Sequence, residues 1–190
     1  RKWSSSYELQ ESHNMDAQTR ADPSPKTPAS SPLDLPYQCA GNLVHDATLR
    51  ADAEAVIRLV SEKSSACDRA PGGATALHIA ALNDSSQHLV ECLVELGAPL
   101  DALDDSGFSP LHRMVQFNRI YGATALLFYG AEVNQQAVDT AETPLHIAAE
   151  AQLHEMAILL LAHGANQNMR DHLGKRPVDL GLQDILDLPS

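Results

Sequence analysis

Apolar residues along this chain fall into short blocks that recur at a fixed interval, each bounded by polar turns and a glycine. One unit serves as a pattern for the rest. Asp104-Asp105-Ser106-Gly107 supplies a turn, because Asp, Ser and Gly all favour turn geometries. Ser109 is placed to cap a helix, and Pro110 occupies the first helical position, where its missing N–H costs nothing. A short apolar helix runs to about Phe117, and Asn118 then allows the left-handed reversal. A second helix passes through Ala125-Leu126-Leu127-Phe128 and ends at the cap glycine Gly130. Neither helix can bury its apolar face alone, so copies must stack.

The interval is held by three residue types independently. His45, His78, His112 and His146 are 33, 34 and 34 apart. Gly97, Gly130 and Gly164 follow at 33 and 34, and Pro110, Pro144 and Pro177 at 34 and 33. One extra residue falls in the inter-helix connection 82–88 and one in the turn 134–140. Such a period marks a repeat array.

The repeated sequences Thr75-Ala76-Leu77-His78-Ile79-Ala80, Ser109-Pro110-Leu111-His112 and Thr143-Pro144-Leu145-His146-Ile147-Ala148 resemble the T-P-L-H-x-A box of the ankyrin-repeat family. Gly97-Ala98-Pro99-Leu100-Asp101, Gly130-Ala131-Glu132-Val133-Asn134 and Gly164-Ala165-Asn166-Gln167-Asn168 resemble its G-A-x-x-N ending. The resemblance implies an all-α solenoid of stacked helix-turn-helix units with short β-hairpin fingers. Three full repeats, 70–102, 103–136 and 137–169, stand between degenerate caps at 41–69 and 170–182, with a C-terminal tail at 183–190. In the caps Val44-His45-Asp46-Ala47 replaces the box, and Lys175-Arg176-Pro177-Val178-Asp179 keeps only its proline.

Residues 1–40 read differently. Five prolines between Asp22 and Tyr37, set among Ser, Thr and Ala, deny that stretch regular hydrogen bonding and a core, so it is expected to be disordered. It carries Ser24, Thr27 and Ser31 before prolines, the minimal pattern of proline-directed phosphorylation. Leu33-Asp34-Leu35-Pro36 recurs as Leu186-Asp187-Leu188-Pro189, either a short linear motif or coincidence. The chain starts at Arg1 rather than Met, which fits a piece of something longer.

Charge narrows the partner class. The formal net charge is −12, of which five acids and four bases leave only −1 on residues 1–40. So acidic a repeat region repels nucleic acid and anionic lipid, and favours a protein partner with a basic or neutral surface. Three cysteines with no CxxC pair, Cys39, Cys67 and Cys92, point to reduced thiols and a cytoplasmic or nuclear setting. No apolar run is long enough to span a membrane.

Catalysis finds no constellation. Cys67 lies in a polar connection with nothing to pair it with a base, and Pro71-Gly72-Gly73 lacks the Lys-Ser or Lys-Thr of a phosphate loop. The periodic histidines are a repeat apart, roughly 10 Å on the spacing of packed helices, too far to share one metal ion. The resemblance makes His45, His78, His112 and His146 structural ties between repeats. No cofactor or metal is expected, and the array is expected to be monomeric. His88, His154, His163 and His172 are expected at the surface or groove, and Cys92 in the core.

By resemblance, recognition falls to the variable positions of fingers and first helices: Ala74 and Ile79; Asp105, Ser106, Phe108 and Arg113; Thr140, Glu142 and Ile147; His172, Leu173 and Lys175. Asp101, Asp104 and Asp105 crowd one finger, either as turn chemistry or as a dock for basic side chains. Phe108 is expected to point outward, to meet a partner or pack on a neighbouring finger. The leading reading is a non-catalytic binding module in which Phe108 anchors and Asp104, Asp105 and Glu142 receive basic groups. The rival reading is the regulatory or targeting segment of a larger enzyme. Limited proteolysis should cut first between about Arg20 and Pro36 and leave a stable fragment beginning near residue 40; a tail as resistant as the repeats would mean that it packs on them.

Overall fold

Each of the three full repeats has a Ser or Thr at the cap of a first helix that starts on Pro or Ala. The computed structural model describes residues 43–62, 67–83 and 86–182. Among them eight α-helices form four pairs: α1 Leu43–Leu49 with α2 Ala53–Glu62, and α3 Ala76–Ala80 with α4 Ser86–Glu95. Then follow α5 Pro110–Gln116 with α6 Ile120–Phe128, α7 Pro144–Glu150 with α8 His154–Ala162, and a final 3-10 helix, Pro177–Leu180. The expected N-terminal cap is thus a complete helix pair, whereas the C-terminal cap is a single short turn. The proline-rich tail, Ser24, Thr27, Ser31, Cys39 and residues 183–190 lie outside the described residues.

Two layers result. First helices touch first helices (α1 on α3, α5 on α7, α7 on the 3-10 helix), and second helices touch second helices (α2 on α4, α4 on α6, α6 on α8). Leu77, Leu111 and Leu145 from one layer and Leu93, Leu126 and Leu160 from the other are buried, and alanines such as Ala80, Ala81, Ala148 and Ala149 let the backbones close up. Chain reversals within pairs use left-handed residues, Ala51, Asn118 and Gln152, at φ values of 55°, 54° and 55°. Side chains from these reversals reach back one repeat: Asn83 Nδ2 donates to Thr48 O at 2.6 Å, and Arg119 Nε to Ala81 O at 3.0 Å. Both bring side-chain donors to carbonyls at the ends of α1 and α3, where helical partners run out.

Among the described residues no strand forms. Each finger is a tight hairpin turn closed at its base by one backbone bond, Ala70 N to Ala74 O, Asp104 N to Phe108 O, Ala137 N to Glu142 O and Asp171 N to Lys175 O, at 2.7–3.0 Å, with a second bond inside the turn. The third of these spans one residue more, which is where the extra residue of the sequence goes. Adjacent fingers join through Asp105 N to Gly72 O, Val138 N to Gly107 O and His172 N to Thr140 O, at 3.0, 3.2 and 2.9 Å. This approach demands glycine at Gly107, where φ is +74° and a Cβ would stand 2.7 Å from Val138 Cβ.

Leu111→Ala or Leu145→Ala should cost about 2–4 kcal/mol, since each opens a cavity between repeats. Urea titration followed by helical circular dichroism measures it; a loss under about 0.5 kcal/mol would mean that neighbouring repeats close over the gap.

Candidate interaction surface and the repeat ties beneath it

The fingers hang from a row of buried histidines. In His78, Nδ1 accepts from the Thr75 N–H at 3.1 Å and from the Thr75 hydroxyl at 2.9 Å. Nδ1 therefore carries no proton, and Nε2–H donates to Phe108 O in the next finger at 3.0 Å. His112 repeats this with Ser109 and Glu142 O at 3.1 Å, and His146 with Thr143 and Lys175 O at 3.2 Å. In the first repeat His45 Nε2 reaches Asp68 O at 3.1 Å. These rings tie each repeat to the next finger.

Burial pushes His78 and His112 down to about 4, against the upward pull of the carbonyls they bond. Burial lowers His45 as well. A proton on Nδ1 would also point at the N–H that the ring must accept from.

Two residues assigned to partner contact turn out to be internal. Asp104 and Arg113, nine apart in sequence, form a buried pair: Nε and Nη2 of Arg113 donate to Asp104 Oδ2 at 2.9 and 2.7 Å. Asp104 Oδ1 accepts from the Ser106 and Phe108 N–H groups at 2.9 and 3.0 Å, and Arg113 Nη1 donates to Gln116 Oε1 at 2.8 Å. The pair shapes the finger, so neither side chain is offered to a partner. Phe108 is half-buried, with the Arg113 guanidinium 4.6 Å over its ring and His112 edge-on at 5.6 Å. Ala74 and Ile79 also leave the surface, both fully buried in a small cluster with Ala70. Asp101, although exposed, uses Oδ1 to accept from Glu132 N–H in the next repeat at 2.9 Å.

Exposed positions do meet along the finger tips. Asp105 and Ser106, then Thr140, then His172, Leu173 and Lys175 are exposed on three consecutive fingers, with Glu142 and Ile147 half-buried behind them. Sequence reasoning missed Val138, which is 60% exposed beside the 78%-exposed Leu173. The extra residue of that finger places Val138 at the tip, and the one-residue offset was its only signal. His88, His154 and His163 are exposed, as is Cys67, while Cys92 is buried and burial pushes its thiol up.

A family model described as ankyrin repeats in three copies matches residues 44–137, and one for a single ankyrin repeat matches residues 142–172. The chain belongs to the ankyrin-repeat family. Human rabankyrin-5 is 33% identical over 113 residues, covering 54% of this chain and 10% of that protein. Human ankyrin repeat and SOCS box protein 16 is 32% identical over 151 residues, covering 80% of this chain and 30% of that protein. Mouse B-cell lymphoma 3 protein homolog is 37% identical over 100 residues, covering 52% and 22%. The chain thus spans a third or less of each of these ankyrin relatives. Ankyrin repeats are protein–protein interaction modules, and among the described residues no helix is long and apolar enough to cross a membrane.

Histidines neutral at about 4 when folded and titrating near 6.5 when unfolded give a definite pH dependence. Between these values the unfolded chain binds more protons, so stability is full above about 6.5 and falls as pH drops toward 4. Urea midpoints should hold steady from neutral upward and decline through that window, with about two protons taken up on unfolding at pH 5. His112→Asn should remove about one of them; an unchanged uptake would mean that His112 is not buried neutral. Arg113→Ala should cost about 3–5 kcal/mol in the same titration, because it strands the buried Asp104 carboxylate.

Proposed function

We propose that this chain is a non-catalytic module that binds a protein partner across its last three fingers and the groove beside them. What carries the reading is the row of exposed side chains on fingers 104–108, 137–142 and 171–175, held in register by backbone bonds from Val138 N to Gly107 O and from His172 N to Thr140 O. Val138 and Leu173 supply the most exposed apolar contact, beside a half-buried Phe108 that has one ring face covered by Arg113. Asp105, Ser106, Thr140, Glu142, His172 and Lys175 form the polar rim, with Ile147 at the base of the groove. The net charge of −12 favours a basic partner surface and argues against nucleic acid and anionic membrane. Such a module works as a monomer in the cytoplasm or nucleus.

Apolar anchors dominate affinity, whereas rim charges act on association rate and salt dependence. A partner captured by the full chain and then purified should bind Leu173→Ala or Val138→Ala roughly tenfold more weakly, with thermal stability unchanged. Asp105→Asn should slow its association, most visibly at low salt. Full affinity for the Val138→Asp, Leu173→Asp double variant in a folded protein would remove the site from the fingers. The rival reading, a regulatory segment of a larger enzyme, draws on the small share of each relative that the chain spans.

A further inference from the structure

A second surface lies in the other helix layer. Helix α6, Ile-Tyr-Gly-Ala-Thr-Ala-Leu-Leu-Phe, contains no charged residue. A surface helix normally keeps a charged or strongly polar outer face, and α6 offers only Thr124 and the Tyr121 hydroxyl. Its inner side buries Ala123, Leu126 and Leu127, while Tyr121 is 67% and Phe128 80% exposed on the outer side. Tyr121 and Phe128 are seven residues apart and share one face of the helix. At the corresponding positions α4 carries His88 and Glu95, and α8 carries Glu155 and Ala162. The repeat itself therefore does not require aromatics there, and core burial does not explain them.

Between α4 and α6 runs a cleft of about 280 Å³ lined by Glu91, Thr124, Ala125 and Phe128. Phe128 stands edge-on to Tyr129, with ring centres 5.5 Å apart. The α4 wall is acidic. Partial burial, then the Glu95 and Glu91 carboxylates, push the Tyr129 hydroxyl up. Across α4, α6 and α8 there are three glutamates, Glu91, Glu95 and Glu155, and no Lys or Arg. His88 Nδ1 stands 4.0 Å from Glu91 Oε2 on the same helix.

We propose that this cleft docks a basic amphipathic segment of a protein partner. The segment seats an apolar side chain on Phe128 and Tyr121 and directs Lys or Arg toward Glu91 and Glu95. Charge complementarity selects this occupant. A second copy of the chain brings the same glutamates with no Lys or Arg on these three helices, and anionic lipid is repelled in the same way. The surface is separate from the fingers, so the chain can hold two segments at once, in one partner or two.

The test uses two synthetic helical peptides of about four turns with the same leucine stripe, one otherwise rich in Lys and the other in Glu. Each is titrated into the full ¹⁵N-labelled chain and followed by residue-resolved NMR. The Lys peptide should shift resonances at Glu91, Tyr121, Thr124 and Phe128, and the Glu peptide should not. Phe128→Ser should weaken the Lys peptide roughly tenfold. The Glu91→Gln, Glu95→Gln pair should weaken it and flatten its salt dependence. Leu173→Asp, which disables the finger surface, should leave it unchanged. Shifts confined to the fingers, equal binding of the Glu peptide, or full affinity with Phe128→Ser would each overturn the proposal. So would a dimer of the wild-type chain that Phe128→Ser dissociates, or Phe128-dependent binding to phosphatidylserine vesicles.

Discussion

The fingers of this molecule hang from one interaction, the bond from a buried imidazole to the carbonyl of the following finger. His78, His112 and His146 make it at 3.0, 3.1 and 3.2 Å to Phe108, Glu142 and Lys175. The capping Thr or Ser N–H and hydroxyl fix which ring nitrogen carries the proton, and that choice fixes the direction of the bond. A helix start and an inter-repeat contact thereby become a single unit. Because the carbonyls belong to finger residues, the stacking of the helices and the backbone bonds between adjacent fingers set the spacing of the fingers together.

Beneath the fingers the side chains that look most like recognition groups hold the shape. Arg113 and Asp104 satisfy each other, and Asp104 also receives two N–H groups of its own turn. A buried pair of this kind adds little net stability compared with apolar residues, but losing one partner is costly. Its value here is geometric: it holds the turn 104–108 and parks the guanidinium on Phe108. The finger tips can then vary without deforming what supports them, which is the division of labour expected of a binding scaffold.

The two helix layers differ in chemistry. First helices are nearly swallowed between fingers and second helices, so their side chains are committed to the stack. Second helices keep an outer face, and on α4 that face is acidic while on α6 it is aromatic. An aromatic patch beside carboxylates, with no Lys or Arg on α4, α6 and α8, is unusual for a surface that has only water to meet.

The sequence by itself determined the repeat period, the helix pairs and their caps, because each rests on signals within a few residues. Ser109-Pro110, Asn118 and Gly130 act locally and were legible one by one. It also placed the four repeat histidines, since their spacing tracks the stack. Only the tertiary structure decided which candidate site residues are exposed. Asp104 meets Arg113 across nine residues, and Ala74 and Ile79 are covered by the meeting of elements, none of which a local pattern encodes. Val138 reached a finger tip through one inserted residue, whose effect depends on where the neighbouring finger stands. Phe128 and Tyr121 were hidden for the opposite reason: α6 is apolar on every side, so its periodicity could not say which face is buried until α4 and α8 were set against it.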